Sequence, residues 1–199
     1  MVKIEMLKKS WILLLATAAI LPATAVAQSD QGKKSDEILV KMRQVDMLSQ
    51  ILPAVFTSEQ LKKILPVIER CRKTVRETEA KEATVLAALE ASLDRSISDA
   101  LNKKQMPKPD VKNKIANTIK LLTVIRDQVA QDNAQKVYDV MAKELNTGQL
   151  RAISNALNPK RIDPKINTTG WTQERKIKYW VRVVLLDPTT YPLLVKLSR

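Results

Sequence analysis

Few residue types in this chain could do chemistry. Cys71 is its one thiol, and histidine is absent. A cysteine nucleophile needs a neighbouring base, and a zinc site needs several thiolate or imidazole ligands. Neither set exists here. Glu77 and Glu82, like Asp94 and Asp99, are five residues apart, a spacing that does not bring two acids face to face on a helix. The methionines Met42, Met47, Met106 and Met141 are scattered and read as core filler, not as a soft-metal box. Three glycines leave no room for a phosphate-cradling loop. The expectation is therefore a protein that is no enzyme and holds no metal and no cofactor. Cys71 falls on an apolar seam and reads as a buried thiol; an intermolecular disulfide is the alternative.

What the sequence does repeat is a short pattern. Phe56-Thr57-Ser58-Glu59-Gln60-Leu61-Lys62-Lys63-Ile64 returns, without a gap, as Leu145-Asn146-Thr147-Gly148-Gln149-Leu150-Arg151-Ala152-Ile153. Each copy spells a capping box, in which Thr57 or Asn146 caps a helix and Gln60 or Gln149 reaches back to the cap. Phe56 and Leu145 stand where they can staple onto Leu61 and Leu150. Two well-made helix starts would account for the pattern without any further role.

The elements that must position these motifs are helices separated by prolines. Low glycine and an aromatic fraction of 4% argue against an all-β protein. Ser35 is a candidate N-cap for a first helix with Ile38, Val45, Leu48 and Leu52 along one stripe, ending before Pro53. From Thr57 to about Lys104 the only break is Pro66, which either kinks or restarts the helix. Ile68, Cys71, Val75, Thr78, Glu82, Val85 and Leu89 mark its seam, widened by Leu86, Leu93, Ile97 and Leu101. After Pro107-Lys108-Pro109, Asp110 can cap a second long helix. Val111, Ile115, Ile119, Leu122, Ile125, Val129, Val137, Val140 and Met141 mark one of its faces. Its middle, Arg126 to Lys136, is polar and reads as solvated or loosely paired. Each long helix would span about 55–59 Å. The short connection makes them an antiparallel hairpin with both motifs at one end. Such a hairpin cannot cover its own apolar faces; the N-terminal helix, the C-terminal segment or a second copy must help.

The N-terminus reads as a secretory signal peptide. Lys3, Lys8 and Lys9 precede an apolar run from Trp11 to Ile20, and Ala25-Val26-Ala27 offers a small-residue cleavage site after Ala27. The run is too short to span a bilayer core of roughly 30 Å. The expected organisation is a signal peptide at 1–27, a helical hairpin domain at 28–157 and a basic, aromatic extension at 158–199. Export to the periplasm or medium follows.

Paired motifs of the form Leu-Thr-x-x-Gln flanking a helical hairpin in an exported chain resemble the Spy/CpxP family of periplasmic stress proteins. Here they read Phe56-Thr57-x-x-Gln60 and Leu145-Asn146-x-x-Gln149, with Phe and Asn as departures. The likeness covers roughly residues 35–157. It implies an all-α, cradle-like protein, often a dimer, acting as an ATP-independent chaperone or restraining an envelope-stress kinase. The zinc binding of some relatives uses histidines and does not carry over.

Residues 151–199 hold ten basic and three acidic groups, whereas the preceding chain is nearly balanced. Thr172 is a candidate cap for a short helix with Ile177, Trp180, Val181, Val184 and Leu185 on one face and Arg175, Lys178 and Arg182 on another. Asp187-Pro188 should end it, and Tyr191-Pro192 precedes a last apolar turn from Leu193 to Leu197. The segment either docks on the hairpin or offers Arg175, Lys178, Tyr179 and Arg182 to an acidic partner. The partners expected are unfolded or acidic protein clients, with a specific envelope partner or an anionic membrane surface as the alternative. Nucleic acid is the weakest candidate, because no binding module is recognisable.

Overall fold

Proline spacing sets where the helices stop, and apolar periodicity sets which faces meet. The computed structural model describes residues 30–157, 159 and 164–199. The expected leader and its cleavage site lie outside the described residues, as does part of the loop after Leu157. The described chain is all-helical: α1 Asp30–Ile51, α2 Ser58–Lys103, α3 Pro109–Glu144, α4 Thr147–Ala156, α5 Gln173–Trp180 and α6 Thr190–Leu197. A 3-10 turn, Leu52–Ala54, links α1 towards α2, and α5 runs on into one π-helical turn, Val181–Leu185.

Two local expectations change, for Ser35 and Asp110, and of the two alternatives at Pro66 the restart is excluded. α1 begins at Asp30, so Ser35 is interior to it; no proline lies between them to stop the helix propagating. Pro66 lies inside a continuous α2. Its ring forfeits one hydrogen bond at a cost of about 3 kcal/mol. The loss is tolerable because Pro66 sits on the exposed side while Ile64, Val67 and Ile68 are buried beside it. α3 starts from Lys108 with Pro109 at its first position, and Asp110 serves the first turn rather than the cap. Thr172 caps α5 as expected, accepting a hydrogen bond from the Arg175 N–H at 3.2 Å.

α2 and α3 pair antiparallel. Lys63 reaches Glu144 at 2.6 Å, the Asn133 side chain donates to the Cys71 carbonyl at 3.3 Å, and Arg126 meets Glu82 higher up. The core lies at the base, where the chain's short elements gather. Ile51, Leu61, Ile64, Ile68, Val137, Met141, Ile153, Ile177, Trp180 and Leu194 are almost fully buried there in one cluster. Each such side chain contributes about 1.5–3 kcal/mol of transfer free energy. The face Ile177, Trp180, Val181, Val184 and Leu185 is wholly within this core.

Away from the base the hairpin stands as two helices. Leu122 is buried, but Val85, Leu86, Ile97 and Leu101 of the expected α2 seam are exposed. So are Val75 nearer the base and Ile119 and Ile125 on α3. Two helices share only a narrow seam, so residues flanking it face water. The first half of α1 is similar: Ile38 and Val45 of its expected stripe are exposed, and burial begins at Met47.

Two ion pairs tie this architecture together. Arg126 grips Glu82 through both carboxylate oxygens, from Nε at 2.8 and 2.9 Å and from Nη2 at 2.5 Å. Glu82 is buried, and its hydrogen bonds hold the Arg126 guanidinium above its ordinary pKa. The helix centre read as solvated thus supplies an interhelical clamp. Arg43 of α1 pairs with Asp187 ahead of α6. Burial pushes the Asp187 carboxyl up, but hydrogen bonds from Arg43 and Thr189 outweigh it and hold the group below its usual value.

Two outcomes follow. Arg126→Ala strands a buried carboxylate and should cost about 3 kcal/mol in urea unfolding, most of which a Glu82→Leu/Arg126→Leu pair should recover. An unchanged midpoint for Arg126→Ala would show that Glu82 is solvated without its partner. The depressed Asp187 pKa adds stability that is complete above the group's unfolded value and is lost as pH falls through the folded value. Asp187→Asn should therefore cost about 1 kcal/mol at neutral pH and flatten the acid limb of the melting-temperature profile. Parallel acid limbs for the two proteins would exclude this linkage.

Candidate functional site

Both capping boxes form. Thr57 Oγ1 accepts from the Gln60 N–H at 3.2 Å, and the Thr57 N–H donates to Gln60 Oε1 at 3.0 Å. Asn146 Oδ1 accepts from the Gln149 N–H at 2.9 Å, and the Asn146 N–H donates to Gln149 Oε1 at 3.1 Å. The hairpin then brings the two boxes face to face. Gln60 Nε2 donates to Gln149 Oε1 at 3.1 Å, and Gln149 Nε2 returns a bond to Gln60 Oε1 at 3.0 Å.

The remaining amide protons complete a local two-fold pattern. Gln60 donates to the Glu144 carbonyl at 2.9 Å, and Gln149 donates to the Val55 carbonyl at 3.0 Å. Val55 and Glu144 immediately precede the two copies, offset by the same 89 residues as the glutamines. A primary amide has two donors and two acceptor sites, and here each glutamine uses all four. Gln149 lies near the Ala54 carbonyl as well, at 3.1 Å.

The clasp also steadies an unfavourable backbone. Val55 takes a left-handed conformation, φ 45°, which costs a β-branched residue roughly 1–2 kcal/mol. Its N–H bonds to the Leu52 carbonyl, and its own carbonyl is the one that Gln149 holds. Around the amides, Leu61 and Leu145 are buried, and Leu150 packs on the core. The Phe56 ring lies 6.4 Å from that of Trp180, so Phe56 ties the first motif to the C-terminal segment.

The second set of expected site residues is engaged within the molecule. Arg182 pairs with Asp127 of α3 at 3.1 Å. Lys178 pairs with Glu174 and lies over the Tyr138 ring at 5.1 Å. Arg175 stacks over Trp171 at 4.7 Å, and Tyr179 meets Trp171 edge-on at 5.3 Å. These contacts fasten α5 to itself and to α3. On α6, Tyr191 lies under Arg72 of α2 at 4.2 Å.

Cys71 is 1% exposed, and burial raises its thiol pKa. Both features make it a poor nucleophile and a poor disulfide partner in the folded state. An open groove of about 460 Å³ runs past it, lined by Val67, Arg70, Thr74, Lys136, Asp139 and Val140. Among the described residues no group of three or more histidine, cysteine, aspartate or glutamate side chains is placed to hold a metal ion. No helix among the described residues is long and apolar enough to cross a membrane. No protein-family model, curated protein or solved structure matches the chain.

Glu82 lies on the apolar seam, where a carboxylate needs a neutralising partner. An acid at a core register calls for a cation at the facing register, and Arg126 is that cation. The cross-bonding of the glutamines left no signal beyond the repeat itself.

Gln60→Glu separates the cap from the clasp. A carboxylate at this position still accepts from the Thr57 N–H but cannot donate to Glu144 or Gln149. The loss should be about 2 kcal/mol at neutral pH, and a Gln60→Ala/Gln149→Ala cycle should show coupling of about 1 kcal/mol or more. A Gln60→Glu protein as stable as the parent, with additive alanine variants, would reduce the motif to two independent helix caps.

Proposed function

We propose that this protein is an exported, ATP-independent holding chaperone or envelope-stress accessory protein of the Spy/CpxP type. The observation that carries the reading is the uncovered upper hairpin. Val85, Leu86, Val124 and Leu121 are exposed on helices held at a fixed spacing by the Glu82–Arg126 clamp. Separate apolar side chains among charged ones favour many weak contacts over one deep site. A partly unfolded chain, with its own apolar groups spaced irregularly, suits such a surface. The net positive charge, +13 over the full sequence and still strongly positive without residues 1–27, speeds encounter with acidic clients. The paired motifs support the same family reading, with the clasp as the device that keeps the hairpin closed at its base.

The competing reading, a dedicated partner bound through Arg175, Lys178, Tyr179 and Arg182, is less favoured. Those side chains already bind Trp171, Glu174, Tyr138 and Asp127. A homodimer would occupy the same uncovered faces as a client.

Light scattering of a denatured client diluted into ATP-free buffer tests the proposal. Scattering should fall as the protein approaches stoichiometric amounts, less so at high salt. Val85→Glu/Val124→Glu should weaken suppression several-fold without lowering the melting temperature. No suppression at several-fold excess, or full suppression by the double variant, would sink the reading.

A further inference from the structure

The hairpin end farthest from the clasp carries a combination that a helical turn does not require. Over residues 103–114 there are five lysines, Lys103, Lys104, Lys108, Lys112 and Lys114, against one acid, Asp110. All five are exposed. Lys103 turns back to Asp99 at 2.8 Å. Lys104 takes the left-handed conformation that ends α2. Met106 among them, at 79%, and Leu101 just ahead of them, at 76%, are the two most exposed large apolar side chains of the described residues. Pro107 and Pro109 stiffen the segment that presents Met106.

The surface is convex, the end of a rod roughly 60 Å from the base, not a groove that another protein's side chain could fill. Apolar tips surrounded by cations on long flexible stems match the layered chemistry of an anionic bilayer surface. Apolar side chains enter below the headgroups while lysines snorkel to phosphates. A second copy is a poor occupant, because two such ends repel each other.

We propose that the hairpin end, Leu101 to Lys114, docks on anionic phospholipid bilayers, with Met106 and Leu101 entering the headgroup layer and the lysines facing lipid phosphates. Docking leaves the membrane uncrossed. It does not rest on the chaperone reading, since it uses neither Val85 nor Val124, and either can fail alone. It would hold the hairpin upright, with the clasp and core away from the membrane and the flanks free.

The test is co-sedimentation with vesicles, using protein purified from cells expressing the full chain. Every variant carries the same N-terminus, so differences between variants report the hairpin end. Vesicles mixing phosphatidylglycerol with phosphatidylcholine should bind the protein; phosphatidylcholine alone should not. Each lysine near an anionic surface is worth about fivefold in partitioning. Lys104→Glu/Lys108→Glu/Lys112→Glu should therefore lower binding at least about a hundredfold. Lys73→Glu/Lys81→Glu/Lys143→Glu, with the same net charge change elsewhere, should lower it only a few-fold. Met106→Asp should cost about tenfold, because the side chain no longer enters the apolar layer. Melting temperatures of all variants should match the parent. Equal losses from the two triple variants would reveal mere attraction of net charge and overturn the proposal. So would binding that ignores lipid charge. Capture of soluble polyglutamate as strong as capture of vesicles, with Met106→Asp without effect, would assign the surface to acidic protein and overturn it as well.

Discussion

The reciprocal amide pair of Gln60 and Gln149 is the constraint on which the rest of the structure depends. It joins the start of α2 to the start of α4 and closes the hairpin at the end where every other element enters or leaves. Each amide is fully satisfied by its own cap, its partner and its partner's preceding carbonyl. Such a network is intolerant of sliding. Moving α3 by one residue against α2 would break bonds on both sides at once, leaving half-buried amides unpaired. The clasp therefore selects the register that the apolar seam, thin and repetitive, specifies only weakly.

With the base locked, the distribution of burial follows from connectivity. α1 reaches α2 through a short turn ending at the clasp, and α4 leaves α3 through Leu145 and Asn146 on its other side. These elements, with α5 and α6, are tethered to one end of two long helices. They bury Trp180, Ile51 and Leu194 together and do not cover the opposite end. The asymmetry between a dense base and a thin, apolar-flanked rod is thus a consequence of chain topology. The rod still needs a fixed spacing, and the Glu82–Arg126 clamp gives it one beyond the reach of the core.

Charge follows the same division. Part of the basic excess of the last quarter of the chain is tied back as straps, with Arg182 on Asp127 and Lys178 on Tyr138 and Glu174. Cations whose stems lie on apolar or aromatic surface stabilise by packing as much as by charge. The lysines of the hairpin end have no core nearby to pack on. Their charge is presented outward beside Met106 and Leu101, on the part of the fold where nothing else requires it.

The helices, their proline-set limits and both capping boxes were legible in the sequence, because caps, breaks and apolar period act over a few residues. The antiparallel hairpin was legible too, from two matched segments joined by a short break. Ser35 and Asp110 were misplaced as caps because a cap residue marks a helix start only when nothing upstream continues the helix. The sequence could not show that Gln60 and Gln149 bond to each other, that Arg126 finds Glu82, or that Val85 and Ile97 face water while Val181 and Leu194 do not. An apolar period says which face of a helix seeks cover. Which neighbour arrives, and along how much of the length, depends on where the chain is tethered in three dimensions. Only the tertiary structure decides that.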